Sequence, residues 1–170
     1  MKDKIKILFI CHGNICRSPM AEFVLKDMVE KLGIKEQFEI KSAATSTEEI
    51  WGPVGNPIYP PAQKELKRRK IGGTSYTNWT TKRAVQVTRQ DYNHYDYLLC
   101  ADSNNIRNTM RITGGDEDGK IQLLLDYAGR EGQSIADSWY TGNFERTYED
   151  IVEGCEGFIK FLRDNGKIYY

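Results

Sequence analysis

Residues 4 to 20, KIKILFICHGNICRSPM, constrain this chain more than any other stretch. An apolar run ends on Cys11, two turn formers follow at Gly13 and Asn14, and Ser18-Pro19 supplies a helix start. The run is short and nearly continuous in apolar residues, the pattern of a buried strand. Serine as N-cap and proline at the first helical position predict a helix from Ser18. Ala21, Val24, Leu25, Met28 and Leu32 then recur at helical spacing, and Gly33 is a natural stop.

The remaining chain continues the same alternation. A second strand is predicted over Phe38 to Ser42, followed by a long loop with proline and glycine to about Pro57. Pro60 to Ile71 reads as a helix with a basic outer face, closed by Gly72-Gly73. YDYLLCA, residues 95 to 101, is the third strand, with Asp102 or Ser103 capping the next helix. Ile121 to Leu125 is the fourth. Phe144, Tyr148, Ile151, Cys155, Phe158 and Leu162 share one face of a final helix ending near Gly166. Strands alternating with helices predict an α/β fold, a parallel sheet with helices on both faces. At 170 residues one domain over 1–170 is expected. Ligands of such sheets bind beyond the carboxyl ends of strands, and Cys11 stands at one.

Charge excludes some functions. Lysine plus arginine total 24 and aspartate plus glutamate 24, a formal net charge of zero. That argues against a general nucleic-acid or membrane-surface binder. No apolar run approaches the ~20 residues of a bilayer span, and Ile5 to Cys11 is too short for a signal peptide. The expectation is a cytoplasmic protein. The four cysteines, 11, 16, 100 and 155, include no Cys-x2-Cys pair, so neither a disulfide scaffold nor a zinc module is indicated. They are core filler or chemistry.

The junction at Cys11 favours chemistry. Loop amides converge on one point, and the first helical turn adds positive potential, which makes an anion site. Gly13 removes bulk and Asn14 tolerates left-handed geometry, so the loop can wrap tightly. Arg17 adds a two-pronged donor matched to phosphate oxygens. The same field lowers a thiol's pKa and leaves a thiolate at Cys11. A thiolate beneath a bound phosphate can attack phosphorus and carry the phosphoryl group. Cys-x5-Arg alone is a weak signal, and the plain alternative makes Cys11 a core residue and Arg17 a solvated one. The coincidence with Gly-Asn, Ser-Pro and a strand–helix junction tips the balance.

The segment ILFICHGNICRSPMAE resembles the active-site loop of low-molecular-weight protein tyrosine phosphatases. VTRQDYNHYDYLLCADSNNIR resembles that family's middle segment, and DSWYTGNFERTYEDIVEGCEGFIKFL its acid loop and last helix; the match is weakest between about Thr45 and Pro57. The resemblance implies a four-stranded parallel sheet, no metal, no cofactor, and hydrolysis of phosphotyrosine or other aryl phosphate monoesters through a phosphocysteine. Cys11 would be the nucleophile and Arg17 the group that binds phosphate and stabilises equatorial charge. His12, Gly13, Asn14, Ile15, Cys16 and Ser18 complete the phosphate loop. Asn14 would hold its shape, and Ser18 would hydrogen-bond the Cys11 sulfur.

A general acid typically contributes ~10²–10⁴-fold. Asp126, Glu131 and Asp137 are the candidates, and spacing does not choose among them. The resemblance selects Asp137, because the family's acid is followed closely by aromatics, here Trp139 and Tyr140. Those two would wall the substrate cleft, with Trp51 a further possible wall. Ser138 stands where the family usually has proline, which frees φ beside the acid and predicts a modest loss of rate. Cys16 is either a small buried hydrophobe or, as the resemblance implies, a reversible disulfide partner of Cys11. Packing suffices for Cys100 and Cys155. A metal held by His12, His94, Cys11 and Cys16 is disfavoured, since Arg17 would repel a cation.

Three alternatives remain. Arsenate reductases resemble this loop but use a relay of nearby cysteines, which Cys100 lacks. Protein-arginine phosphatases resemble it with threonine in place of Ile15; isoleucine offers an aromatic ring apolar contact and favours phosphotyrosine. A non-catalytic phosphate or phosphopeptide binder would need no acid. The expected partner is a phosphotyrosine protein or small aryl phosphate, with no nucleic acid or membrane, and the protein itself is expected to be a monomer or weak oligomer.

Overall fold

The first strand, β1 (Ile5–Cys11), is the centre of the architecture in the computed structural model, which describes residues 3–170. It pairs in parallel with β2 (Phe38–Ala44) on one side, from Ile5 opposite Phe38 to Cys11 opposite Ala44. On its other side runs β3 (Tyr97–Cys100), with Ile7 opposite Tyr97 and Ile10 opposite Cys100. The short β4 (Ile121–Leu123) completes a four-stranded parallel sheet in the order β2-β1-β3-β4. The chain passes from β1 to one side and returns to the other, so the order reverses at the carboxyl end of β1. That switch point is where open α/β sheets leave a crevice, and Cys11 is its last strand residue.

Alternation along β1 sorts the two cores. Ile7, Phe9 and Cys11 face α1 (Arg17–Lys31) and the long α6 (Phe144–Asp164). Leu8 and Ile10 face the other way, with Tyr92 of α3 (Arg89–His94) and Ile106 of α4 (Ser103–Thr113) packed against their cluster. Both faces of β1 are therefore buried, as its continuous apolar run predicts. The predicted stripe on the last helix is equally clear, since Ile151, Cys155, Phe158 and Leu162 are fully buried. Helix α6 lies so close to the 3₁₀ turn Leu124–Ala128 that a Cβ on Gly157 would sit 1.9 Å from the Tyr127 carbonyl oxygen.

Several boundaries differ from the sequence prediction. Helix α1 begins at Arg17, one residue before the predicted cap, so Ser18 is inside its first turn and no side chain caps it. The Ser18 hydroxyl is directed instead to the Cys11 sulfur. Helix α2 (Pro60–Arg68) stops three residues short of Ile71; Lys70 turns left-handed at φ 59°, and the chain closes through the Ile71 amide onto the Leu66 carbonyl. The fourth strand ends at Leu123, because Leu124 and Leu125 turn into the 3₁₀ segment. Neither α3 nor α5 (Ser138–Thr141) was predicted.

Candidate active site

The loop after β1 folds around its own cysteine. Asn14 takes φ 60°, the left-handed geometry its residue type tolerates, and its N–H donates to Cys11 Sγ at 3.3 Å. Its side-chain amide donates to Ser18 Oγ at 2.8 Å and to Ser42 Oγ at 3.0 Å. Its Oδ1 accepts the Val85 N–H at 3.1 Å, which fixes which end of the amide is oxygen. The Ser42 hydroxyl in turn donates to Glu22 Oε1 at 2.6 Å, and Glu22 is buried against Lys26, 2.9 Å away.

This network narrows where one proton points. Ser18 Oγ already accepts from Asn14, so its own hydrogen goes to an acceptor. The two within reach are Cys11 Sγ at 3.0 Å and the Ala43 carbonyl at 3.5 Å, and the shorter contact is to sulfur. A hydroxyl and a backbone amide are thus both directed at the one sulfur. Among the described residues, the N–H groups of Gly13, Ile15, Cys16 and Arg17 have no hydrogen-bond acceptor, so they stand ready for an anion above the loop.

Arg17 is nearly buried, yet it is charged and held from two sides. Asp102 Oδ2 lies 2.8 Å from Nη1 and Asp137 Oδ2 lies 3.5 Å from Nη2. Burial pulls its pKa down, but Cys11, the hydrogen bond Arg17 donates to Asp102 and the charge of Asp137 outweigh it and leave it raised. Asp102 follows β3 and caps α4, its Oδ1 accepting the Asn105 N–H at 2.8 Å. The sequence marks it as a helix cap; its ion pair with an arginine 85 positions away arises only from the switch in strand order.

A cavity of about 490 Å³ opens over these groups. It is lined by Cys11, Arg17 and Asp137, with Trp139 and Tyr140 on one wall and Glu48 and Glu49 on another. Of the three candidate acids only Asp137 lines it; Asp126 accepts the Gly132 N–H at 3.0 Å. Asp137 also caps α5, Oδ1 taking the Trp139 N–H at 3.1 Å. Ser138 is buried with its hydroxyl unpartnered. Ile15 and Cys16 line the floor, and burial, aided by the charge of Cys11, pushes the Cys16 thiol up to about 12. Tyr59, missed in the sequence, backs the aromatic wall with its ring 4.9 Å from that of Trp139.

Other predicted features fall outside. Trp51 is 79% exposed and does not line the cavity; its indole N–H is turned back to the Glu48 carbonyl. His12 lines the cavity and pairs with Glu48 at 3.0 Å, whereas His94 pairs with Glu39. No group of three metal-ligating side chains forms among the described residues. Cys100 and Cys155 are buried in the core.

The family model described as low molecular weight phosphotyrosine protein phosphatase matches residues 6–168. The low molecular weight protein-tyrosine-phosphatase YfkJ of Bacillus subtilis is 35% identical over 160 residues, 94% of this chain and 96% of the relative. Its crystal structure superposes with a TM-score of 0.85, covering 96% of this chain and 98% of that one. The low molecular weight phosphotyrosine protein phosphatase of Gallus gallus is 38% identical, over 91% of this chain and 93% of its own. A solved Drosophila arginine phosphatase is also similar, with 29% identity, a TM-score of 0.79, and coverage of 93% and 98%.

Proposed function

This chain belongs to the low molecular weight phosphotyrosine protein phosphatase family, and from that premise we propose that it hydrolyses phosphotyrosine through a phosphocysteine on Cys11. The observation that carries the reading is the meeting of Cys11, Arg17 and Asp137 on one cavity, with the amides of Gly13, Ile15, Cys16 and Arg17 unpaired among the described residues. The phosphate dianion sits on those amides and on Arg17, taking over the guanidinium that Asp137 otherwise faces. The Cys11 thiolate attacks phosphorus, the bond from phosphorus to the aryl oxygen breaks, and Asp137 gives its proton to the departing phenolate. Asp137, now a carboxylate, takes a proton from water as that water's oxygen attacks phosphorus. The sulfur–phosphorus bond breaks, inorganic phosphate leaves and the thiolate returns. Arg17 and the amides stabilise the equatorial oxygens in both steps.

The side chains around the loop support an aromatic substrate. Ile15 gives the floor an apolar contact, and Trp139 with Tyr140 gives a ring something to lie against. The likeness to an arginine phosphatase makes phosphoarginine the second reading, disfavoured by Ile15 because a guanidinium needs polar partners. A cytoplasmic location belongs to the same proposal, since the thiol works only when reduced. Among the described residues no helix is long and apolar enough to cross a membrane.

The test is steady-state turnover of phosphotyrosine and phosphoarginine peptides by the wild type, Cys11→Ser and Asp137→Asn, in a metal chelator. Cys11→Ser should be inactive. Asp137→Asn should lose about 10²–10³-fold on phosphotyrosine and less on aryl phosphates with better leaving groups. Activity in Cys11→Ser would remove the phosphocysteine route, and faster cleavage of phosphoarginine would reassign the substrate.

A further inference from the structure

A second cavity, of about 530 Å³, lies along the edge strand β2 and shares no lining residue with the one over Cys11. Four cations reach it: Lys26 from α1, Lys41 from β2, and Lys82 and Arg83 from the connection that crosses the sheet edge. Only two carboxylates do, and both are engaged. Glu22 serves Lys26 at 2.9 Å and Lys82 at 3.9 Å while accepting the Ser42 hydroxyl. Asp91 caps α3 by accepting the Thr88 N–H at 2.8 Å. Lys41 and Arg83 have no acidic partner among the described residues; Arg83 donates to the carbonyls of Thr80 and Lys82.

The cations therefore outnumber the local anions, and two of them, Lys26 and Lys82, are largely covered. Burial depresses Lys82, and of its charged neighbours Glu22 and, more weakly, Cys11 oppose the shift while Lys26 and Lys41 add to it. Tyr76 lines the same cavity, and its buried hydroxyl makes no hydrogen bond among the described residues. The volume lies within the ~300–1,000 Å³ of small-molecule sites. Four cations spread around such a space call for more than one anionic group.

We propose that this cavity is a second anion site, separate from the catalytic loop, which takes a small phosphorylated molecule of the diphosphate class. It is coupled to the loop through one residue. Lys82 Nζ donates to the Ser42 carbonyl at 2.9 Å, and the Ser42 hydroxyl receives the Asn14 amide that shapes the loop around Cys11. Occupancy that draws on Lys82 is felt at Asn14.

Inorganic pyrophosphate titrated into isotope-labelled protein, followed by amide shifts, tests this. Two groups of shifts are expected: one over Cys11 to Gly13 and Ile15 to Ser18, the other over Lys41, Ser42, Tyr76 and Arg83, with Asn14 responding to both. Lys41 is exposed, so Lys41→Glu keeps the fold. It should weaken the second group at least tenfold while leaving the first within twofold, with Lys41→Gln intermediate. Absence of the second group, or its persistence within twofold in Lys41→Glu, overturns the site. Loss of the loop group alone would count against the catalytic reading and leave the second site standing.

Discussion

Asp102 holds Arg17 through a 2.8 Å contact between Oδ2 and Nη1, and the same carboxylate caps α4 with its other oxygen. The guanidinium proposed to receive phosphate is thus oriented by the helix that starts beyond the neighbouring strand. A hydrogen bond to a charged group is worth about 1.5–3 kcal/mol. Asp102→Asn, which breaks the ion pair but retains a good N-cap, should lower kcat/KM roughly ten- to hundred-fold with little change in Tm. Asp102→Ala should lose a further ~1 kcal/mol of stability through the missing cap. Steady-state kinetics and thermal unfolding of the two variants check this; an unchanged kcat/KM in Asp102→Asn would show that Arg17 aims itself.

The Ser18 hydroxyl, which accepts from the Asn14 side chain, lies 3.0 Å from the Cys11 sulfur, nearer than the Ala43 carbonyl at 3.5 Å, and its hydrogen is directed to the sulfur as the shorter contact. Ser18→Ala removes that donor and leaves the Asn14 N–H as the remaining contact to sulfur. Alkylation of Cys11 by iodoacetate near neutral pH should slow about tenfold, and kcat should fall with it. Asn14→Ala should be the more damaging change. It severs the ties to Ser18, Ser42 and Val85 and places a Cβ residue without side-chain support at φ 60°, a further ~1 kcal/mol. Alkylation as fast as in the wild type would mean that Ser18 does not act on the sulfur.

The parts legible in the sequence are those where one local pattern has one structural solution. A continuous apolar run ending in Gly-Asn announces β1 and its turn, and the three- and four-residue spacing from Phe144 onward announces α6. The start of α1 is displaced because Ser18, an ideal cap by type, is engaged with sulfur instead. Helix α3 escapes a search for periodicity because six residues barely make two turns, although its capping box at Thr88 and Asp91 is a signal that could have found it. The ties of Arg17 to Asp102, and of Trp139 to Tyr59, are set by strand order and packing between distant segments, which no local spacing encodes.

Ser138 tests how firmly the acid is aimed. Asp137 has φ −85° and ψ 97°, an extended geometry suited to the residue before a proline, and Ser138 is the first residue of α5, where proline is favoured. Its buried hydroxyl has no partner to lose. Ser138→Pro should therefore stabilise by about 0.4–1 kcal/mol through a less flexible unfolded chain. By restricting the acid loop it should also raise kcat modestly. A fall in both Tm and kcat would show that the serine N–H or its backbone freedom is needed.

Alkaline pH should unfold this protein through its buried and half-buried tyrosines. Burial pushes Tyr76, Tyr95 and Tyr127 up to about 12, with nearby acids adding to the shift at Tyr76 and Tyr95, and the charge of Tyr97, then Asp126, adding at Tyr127. In the unfolded chain a tyrosine ionises near 10. Between these values the folded state binds more protons, so stability falls as pH rises; the contribution is complete below about 10 and is lost through about 12. Denaturation midpoints measured from about pH 9 to 11 should decline, and phenolate absorbance should show a late-titrating class that merges with unfolding. Tyr76→Phe removes one such group together with an unpartnered buried hydroxyl. It should cost little stability at neutral pH and flatten the alkaline decline. If Tyr76→Phe steepens that decline, or if all ten tyrosines titrate together near 10 in the folded protein, burial of these rings does not govern its alkaline limit.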